Sequence, residues 1–272
     1  MKTLYITDLD GTLLNKQGKI SEFTLKTINN LIKNGMNFTY ATARSLSSAL
    51  PATQELNIEL PLILYNGTFI VDSKTHKIIY KNIFTKTQIN IIKQIMQDNK
   101  INPMVYALIN DKEKVTIIND NLNEGTKVYL DKRKNDQRIN LITDLKNLYL
   151  GEIYYFTIIG EYEKLKPIYD QLLQYDEDYN IIFQQEIYRT EYWLEIMPKM
   201  ASKAKAILKL KEIMGYDRII VFGDAINDLE MFKISDECYA MENSVKELKK
   251  KATAIIKSNE NDGVADWLIN NY

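Results

Sequence analysis

Two carboxylates, Asp8 and Asp10, stand two residues apart directly after the strand-like stretch Thr3–Thr7, and Gly11 and Thr12 follow at once. No other run constrains the fold as much as Asp8-Leu9-Asp10-Gly11-Thr12-Leu13-Leu14. Alternation along a strand puts residues i and i+2 on the same side, so both acids face one small volume at the strand's carboxyl end. Two unpaired carboxylates that close repel each other, and an ion or a shared proton is expected between them. A hard divalent cation such as Mg2+ suits oxygen ligands of this kind. The alternative is a solvated turn, because Asp and Gly are both common in turns. The run alone does not choose between the two.

The 272 residues suffice for one large domain or two moderate ones, and 45% hydrophobic residues supply an ordinary core. A net charge of -1 asks for no polyanionic partner. Lys132-Arg133-Lys134, flanked by Asp131 and Asp136, and Lys249-Lys250-Lys251, near Glu247, read as solvated faces. A single cysteine, Cys238, excludes an internal disulfide and reads as a small buried residue in a reducing compartment. The acidic motif starts within eight residues of the N-terminus, leaving no room for an apolar signal segment, and no apolar run is long enough to span a bilayer. A soluble cytoplasmic protein is expected.

Strands and helices alternate through the first third. Thr3–Thr7 is a buried strand. Ser21 caps a helix with an apolar stripe of Leu25, Ile28, Leu31 and Ile32, ending near Gly35. Met36–Ala41 is a second strand, followed by Thr42-Ala43-Arg44 and a helical stretch that Pro51 is expected to break or delay. Pro61–Tyr65 is a third strand, Asn66-Gly67 is a strong turn signal, and Thr68–Val71 with Lys77–Tyr80 reads as a hairpin. The last third resumes the rhythm: helix Ser202–Met214, strand Arg218–Phe222, helix Ile226–Phe232, strand Glu237–Met241, helix Ser244–Lys250, strand Ala254–Ile256 and helix Val264–Asn270. This pattern predicts an α/β fold: a doubly wound, Rossmann-like parallel sheet, with ligands at the strands' carboxyl ends. The middle differs. Two helices, near Thr85–Asn99 and Glu161–Tyr175, stand among β-rich pieces, which predicts an α+β domain over 84–195 inserted into a core of 1–83 and 196–272.

Four segments are able to meet at the strand tips. They are Asp8/Asp10; Thr42-Ala43-Arg44, with a hydroxyl and helix-start N–H groups for an anion; Lys203, after the cap Ser202; and Gly223-Asp224-Ala225-Ile226-Asn227-Asp228. Each has a duller reading as a cap, a turn or a solvated lysine. Together the acids need positive charge while Thr42, Lys203 and free N–H groups need an anion, and a Mg2+–phosphate pair meets both needs.

These motifs resemble those of the haloacid dehalogenase superfamily, in particular the Cof-type phosphatases with a large α+β cap. Asp8–Leu13 resembles motif one, Thr42 motif two, Lys203 motif three and Gly223–Asp228 motif four; Met241–Ser244 and Ser258–Val264 resemble the family's late signatures. Two departures stand out: Ala43 replaces the usual Gly of Thr-Gly-Arg, and Ala204 that of Ser-Lys-Gly. The resemblance implies Mg2+-dependent hydrolysis of small phosphate monoesters, such as sugar phosphates or phosphorylated cofactors, through an aspartyl-phosphate. It implies Asp8 as nucleophile and Asp10 as general acid and base. The implied Mg2+ ligands are the Asp8 carboxylate, the Asp10 backbone carbonyl and the Asp224 carboxylate, with Asp228 behind them. Thr42, the Ala43 N–H, Lys203 and Asn227 are implied to hold the phosphate. Arg44 and Arg189 are candidate substrate contacts, and the inserted domain is expected to act as a lid. A phosphomutase of the same superfamily and a non-catalytic phosphate-sensing module are the alternatives. The substrate and the oligomeric state are not legible.

Overall fold

The computed structural model describes residues 1–185 and 189–272. In chain order the first segment holds β1 (Thr3–Thr7), α1 (Glu22–Lys33), β2 (Asn37–Tyr40), α2 (Leu46–Thr53), β3 (Leu62–Leu64), β4 (Phe69–Val71) and β5 (Ile78–Lys81). The middle holds α3 (Lys86–Asp98), β6 (Met104–Ile109), β7 (Lys112–Ile118), α4 (Glu124–Asp131), β8 (Ile139–Ile142), β9 (Glu152–Gly160), α5 (Tyr162–Leu172), β10 (Tyr179–Gln185) and β11 (Tyr192–Pro198). The last segment holds α6 (Lys203–Met214), β12 (Arg218–Gly223), α7 (Leu229–Ile234), β13 (Glu237–Met241), α8 (Lys246–Lys249), β14 (Ala254–Ile256) and α9 (Gly263–Asn271). Two compact units result, one of Met1–Lys81 with Ala201–Tyr272, the other of Asn82–Met200.

The first unit is mixed α/β around a parallel five-stranded sheet of order β14-β13-β12-β1-β2. Parallel strands covered on both faces read as continuous apolar runs, and Leu4-Tyr5-Ile6 and Ile219–Phe222 are such runs. One face buries Leu4, Ile6, Ile219, Val221 and Ala240 against Ile207 and Leu210 of α6 and Met231 and Phe232 of α7. Each of the Leu, Ile, Val, Met and Phe side chains contributes roughly 1.5–3 kcal/mol when fully buried. The other face is aromatic: Tyr239 lies against Phe222 and, at 4.2 Å between centroids, Trp267 of α9. The third strand differs from expectation. β3 belongs to an antiparallel β3-β4-β5 sheet and touches the parallel sheet through a single bridge, Ala41 to Ile63.

Ser21 caps α1 as expected, its hydroxyl accepting from the Thr24 N–H. Pro51 does not break or delay α2, which runs through it to Thr53. Its ring faces solvent, and the missing N–H costs one bond in a two-turn helix.

The second unit is a six-stranded sheet of order β10-β11-β9-β6-β7-β8, antiparallel except for the β7–β8 pair. On one face Val105, Ala107, Phe156, Ile158, Leu194 and Ile196 pack against Ile92, Ile95 and Met96 of α3 and Leu165, Ile168 and Leu172 of α5. Tyr106 alternates with these residues, and its hydroxyl meets that of Tyr129 of α4 at 2.9 Å. Sequence reading missed α4 and β8. The buried positions of α4 are Gly125, Thr126 and Tyr129, which leave no aliphatic stripe to recognise. Among the described residues no helix is long and apolar enough to cross a membrane, and Cys238 is free and buried.

Candidate active site

The site lies in the first unit, where β1, β2 and β12 end at neighbouring points of one parallel sheet. Asp8 continues the β1 line, its N–H donating to the Phe222 carbonyl of β12 at 2.9 Å. Beyond Asp8 the chain leaves the sheet in a turn in which the Thr12, Leu13 and Leu14 N–H groups all return to the Leu9 carbonyl. Strand alternation therefore does not carry Asp10 onto Asp8's side, and no ion or proton between those two acids is required. Each has its own cation instead.

Lys203, at the first position of α6, is buried to 2% exposure. Its Nζ donates to Asp8 Oδ1 at 2.7 Å and to Asp228 Oδ1 at 2.8 Å. Burial is the largest influence on Lys203 and would lower its pKa, but Asp228 and Asp8 outweigh it and hold the ammonium above its ordinary range. Burial pushes the Asp8 carboxyl up to about 7, against the pull of Lys203, and Asp228 and Asp224 add to the rise. A solvated lysine, the duller reading for Lys203, is thus overturned.

Asp10 is held by Arg44 through a two-toothed ion pair, Nε to Oδ2 at 2.8 Å and Nη2 to Oδ1. The same guanidinium donates to the Ser48 carbonyl at 3.2 Å. Arg44 thereby braces Asp10 from the loop after β2. In that loop Thr42 is fully buried, and its hydroxyl accepts from the Arg44 N–H at 3.1 Å. Ala43 is exposed. The helix-start N–H groups expected at Thr42-Ala43-Arg44 come later, since Ser45 is the cap and α2 begins at Leu46.

The turn after β12 is organised by Asp228, which is fully buried. Its Oδ2 accepts from the Asp224 N–H at 2.9 Å and the Ala225 N–H at 3.1 Å, while Oδ1 takes Lys203. Asp224 accepts from the Thr12 hydroxyl at 2.9 Å. Burial pushes the Asp224 carboxyl up to about 6, opposed by that hydrogen bond. Asn227 is exposed, and its Nδ2 donates to Asn66 Oδ1 at 3.2 Å.

One carboxylate oxygen from each of Asp8, Asp224 and Asp228 lies within 4.8 Å of the others. Both Asp228 oxygens are engaged, so Asp8 Oδ2 and the Asp224 carboxylate are the side-chain oxygens best disposed to a hard cation, and three acids against one ammonium leave charge for it to neutralise. Gly11 has φ +75, and a Cβ there would stand 2.3 Å from Asp224 Oδ2. Only glycine lets that carboxylate close against the first loop. The Asp10 carboxylate lies outside this cluster.

The two late signatures act as bolts. Asn243 Nδ2 donates to the Gly11 carbonyl at 2.8 Å, the Ser244 hydroxyl to the Gly223 carbonyl at 3.2 Å, and the Val245 N–H to the Asp224 carbonyl at 3.0 Å. Asn259 Nδ2 donates to the Leu14 carbonyl at 2.8 Å. Arg189 is in the other unit, paired with Glu191 at 2.6 and 2.9 Å. His76 is exposed in the β4–β5 turn.

The profile of the haloacid dehalogenase-like hydrolases matches residues 5–268. A 5-amino-6-(5-phospho-D-ribitylamino)uracil phosphatase of Bacillus subtilis is 28% identical over 98% of this chain and 97% of its own length. Among solved structures, a haloacid dehalogenase-like hydrolase from Bacteroides thetaiotaomicron is 25% identical with a TM-score of 0.79, covering 100% of both chains. A Thermotoga maritima protein is 26% identical with a TM-score of 0.79, covering 100% of this chain and 98% of its own. The chain belongs to the haloacid dehalogenase-like hydrolase family, as its motifs led us to expect, and its curated relatives include enzymes named phosphatases.

Proposed function

We propose that this enzyme hydrolyses small phosphate monoesters through a phosphorylated Asp8, with Mg2+ held by Asp8, Asp224 and the Asp10 backbone carbonyl. The observation that carries the proposal is the buried cluster in which Lys203 bridges Asp8 and Asp228 while Asp224 stands alongside. Bound there, Mg2+ would mask phosphate charge. Asp8 Oδ2, the oxygen that Lys203 leaves aside, is a candidate to attack phosphorus or to bind the ion, and Lys203 fixes the plane of the carboxylate in either case. Asp10 protonates the leaving alcohol and then takes a proton from the water that hydrolyses the acyl phosphate. Arg44 keeps Asp10 aimed during both transfers. Thr42, the Ala43 N–H, Lys203 and Asn227 hold the phosphoryl oxygens, where preorganised donors act most strongly. Ala43 and Ala204 each add a methyl group yet leave the backbone N–H groups in place, so an altered rate or substrate fit is expected rather than loss of the chemistry. The relative from Bacillus subtilis is named for a phosphorylated ribitylamino-pyrimidine, and we place this enzyme's substrate in the same broad class of small phosphorylated metabolites. The buried single thiol of Cys238 supports a cytoplasmic setting.

The test is release of inorganic phosphate from an aryl phosphate and a panel of sugar phosphates, with Mg2+ and with chelator. Asp8→Asn is expected to retain less than about a hundredth of the rate, the scale of nucleophile removal. Isomer formation without phosphate release would favour a mutase. No turnover of any monoester would favour phosphate sensing.

A further inference from the structure

The turn after β3 contains three consecutive residues with positive φ: Tyr65 at 48°, Asn66 at 52° and Gly67 at 91°. Two of them are not glycine, and for the tyrosine, which unlike asparagine does not enter this region readily, the cost is roughly 1–2 kcal/mol. Strain of this kind persists only where the surroundings over-determine it, and it gathers at functional sites. Here the surroundings are the site segments themselves. The Tyr65 N–H donates to the Arg44 carbonyl at 3.1 Å and the Asn66 N–H to the Thr42 carbonyl at 2.9 Å. A Cβ on Gly67 would stand 2.2 Å from the Ser202 carbonyl oxygen, so the turn lies hard against the N-terminus of α6, which carries Lys203. The Asn66 side chain, 6% exposed, accepts from Asn227 Nδ2 at 3.2 Å. One turn therefore touches the Thr42–Arg44 loop, the start of the Lys203 helix and the Asn227 turn.

We propose that Asn66 is a positioning residue for phosphate capture, orienting the Asn227 amide while its turn holds the Thr42 loop against α6. An amide NH2 has two hydrogens. Asn66 Oδ1 takes one of Asn227's and so fixes the direction of the second, the one available to a phosphoryl oxygen. Asparagine suits both tasks, since it tolerates the left-handed region and carries an acceptor.

This inference rests on the reading of Asn227 as a phosphate ligand, and the experiment separates the two. Asn66→Gly keeps the left-handed backbone conformation and removes the side-chain amide, the Oδ1 acceptor included; an unchanged thermal midpoint checks that the turn is intact. KM, kcat and the inhibition constant of inorganic phosphate are measured for Asn66→Gly, Asn227→Ala and the double variant. The expected result is a rise of about tenfold in KM and in the phosphate inhibition constant for each single variant, the equivalent of about one net hydrogen bond. The double variant is then no worse than Asn227→Ala, as coupled neighbours require. Asn227→Ala impaired with Asn66→Gly unchanged, or fully additive effects, would overturn the role of Asn66 alone. Asn227→Ala unchanged would overturn the assignment of Asn227, and with it the basis of this inference.

Discussion

Replacing Lys203 by methionine keeps the apolar stem and deletes the ammonium, with its charge and its hydrogen bonds to Asp8 and Asp228. The ammonium sits 2.7 Å from Asp8 and 2.8 Å from Asp228, with side-chain exposures of 1%, 7% and 0% for the three residues. Removing one partner of such a buried pair typically costs about 3–5 kcal/mol, because the remaining charge is stranded. Two carboxylates are stranded here, with Asp224 close by, so the upper part of that range is expected. At about 2–4 °C per kcal/mol for a domain of this size, the thermal midpoint of the metal-free protein should fall by roughly 8–20 °C near pH 8. The loss should shrink towards pH 5. Burial already lifts Asp8 to about 7 while Lys203 pulls it down, so without Lys203 the carboxyl accepts a proton more readily, and that proton takes over part of the ammonium's work. The assay is unfolding of Lys203→Met and parent protein in chelator at pH 5 and pH 8, followed by calorimetry or circular dichroism. A difference below about 1 kcal/mol at pH 8, or a larger loss at pH 5 than at pH 8, would refute the reasoning.

Gly11→Ala should weaken divalent-cation affinity and turnover at least tenfold while leaving the far-ultraviolet spectrum intact, since the new Cβ meets the Asp224 carboxylate at 2.3 Å; titration calorimetry checks it. In the metal-free protein the carboxyls of Asp8 and Asp224 are raised to about 7 and about 6. A raised acid binds protons more tightly folded than unfolded, so its stabilisation is complete below about pH 4 and is lost as pH rises through the folded value. Midpoints of the metal-free parent should accordingly fall between about pH 5 and pH 8, and the gain on adding Mg2+ should grow over the same window; a gain that shrinks with pH would contradict this. Arg44→Gln frees Asp10 from its ion pair and should lower kcat about tenfold with little change in KM, measured by steady-state kinetics on an aryl phosphate.

Much of the first unit was legible because its signals are local. The apolar runs that became β1, β13 and β14 occupy the residues expected, and the chemistry-bearing turns follow strands β1, β2 and β12 of one parallel sheet. The illegible parts depend on contacts far along the chain. Lys203 looks like any helical lysine until Asp8 and Asp228, 195 and 25 residues away, are seen to enclose it. Arg44 stood as a candidate substrate contact, and nothing local announces its pairing with Asp10 across 34 residues. Asn66-Gly67 announced a turn, yet nothing local reveals that the asparagine side chain reaches Asn227, 161 residues on. The available signal was the asparagine itself, a residue able both to enter the left-handed region and to offer an acceptor. Helix α4 was missed for a different reason: its buried face is made of a glycine, a threonine and a tyrosine.

The account turns on whether Asp8 and Asp224 close around one hard cation. Anomalous diffraction from crystals soaked in Mn2+, an ion of similar oxygen preference to Mg2+, measures this directly. The predicted result is a single strong peak in the first unit with carboxylate oxygens of both residues in its coordination shell and the Lys203 ammonium outside it. A peak that excludes either carboxylate, or no peak between them at saturating Mn2+, would contradict the account.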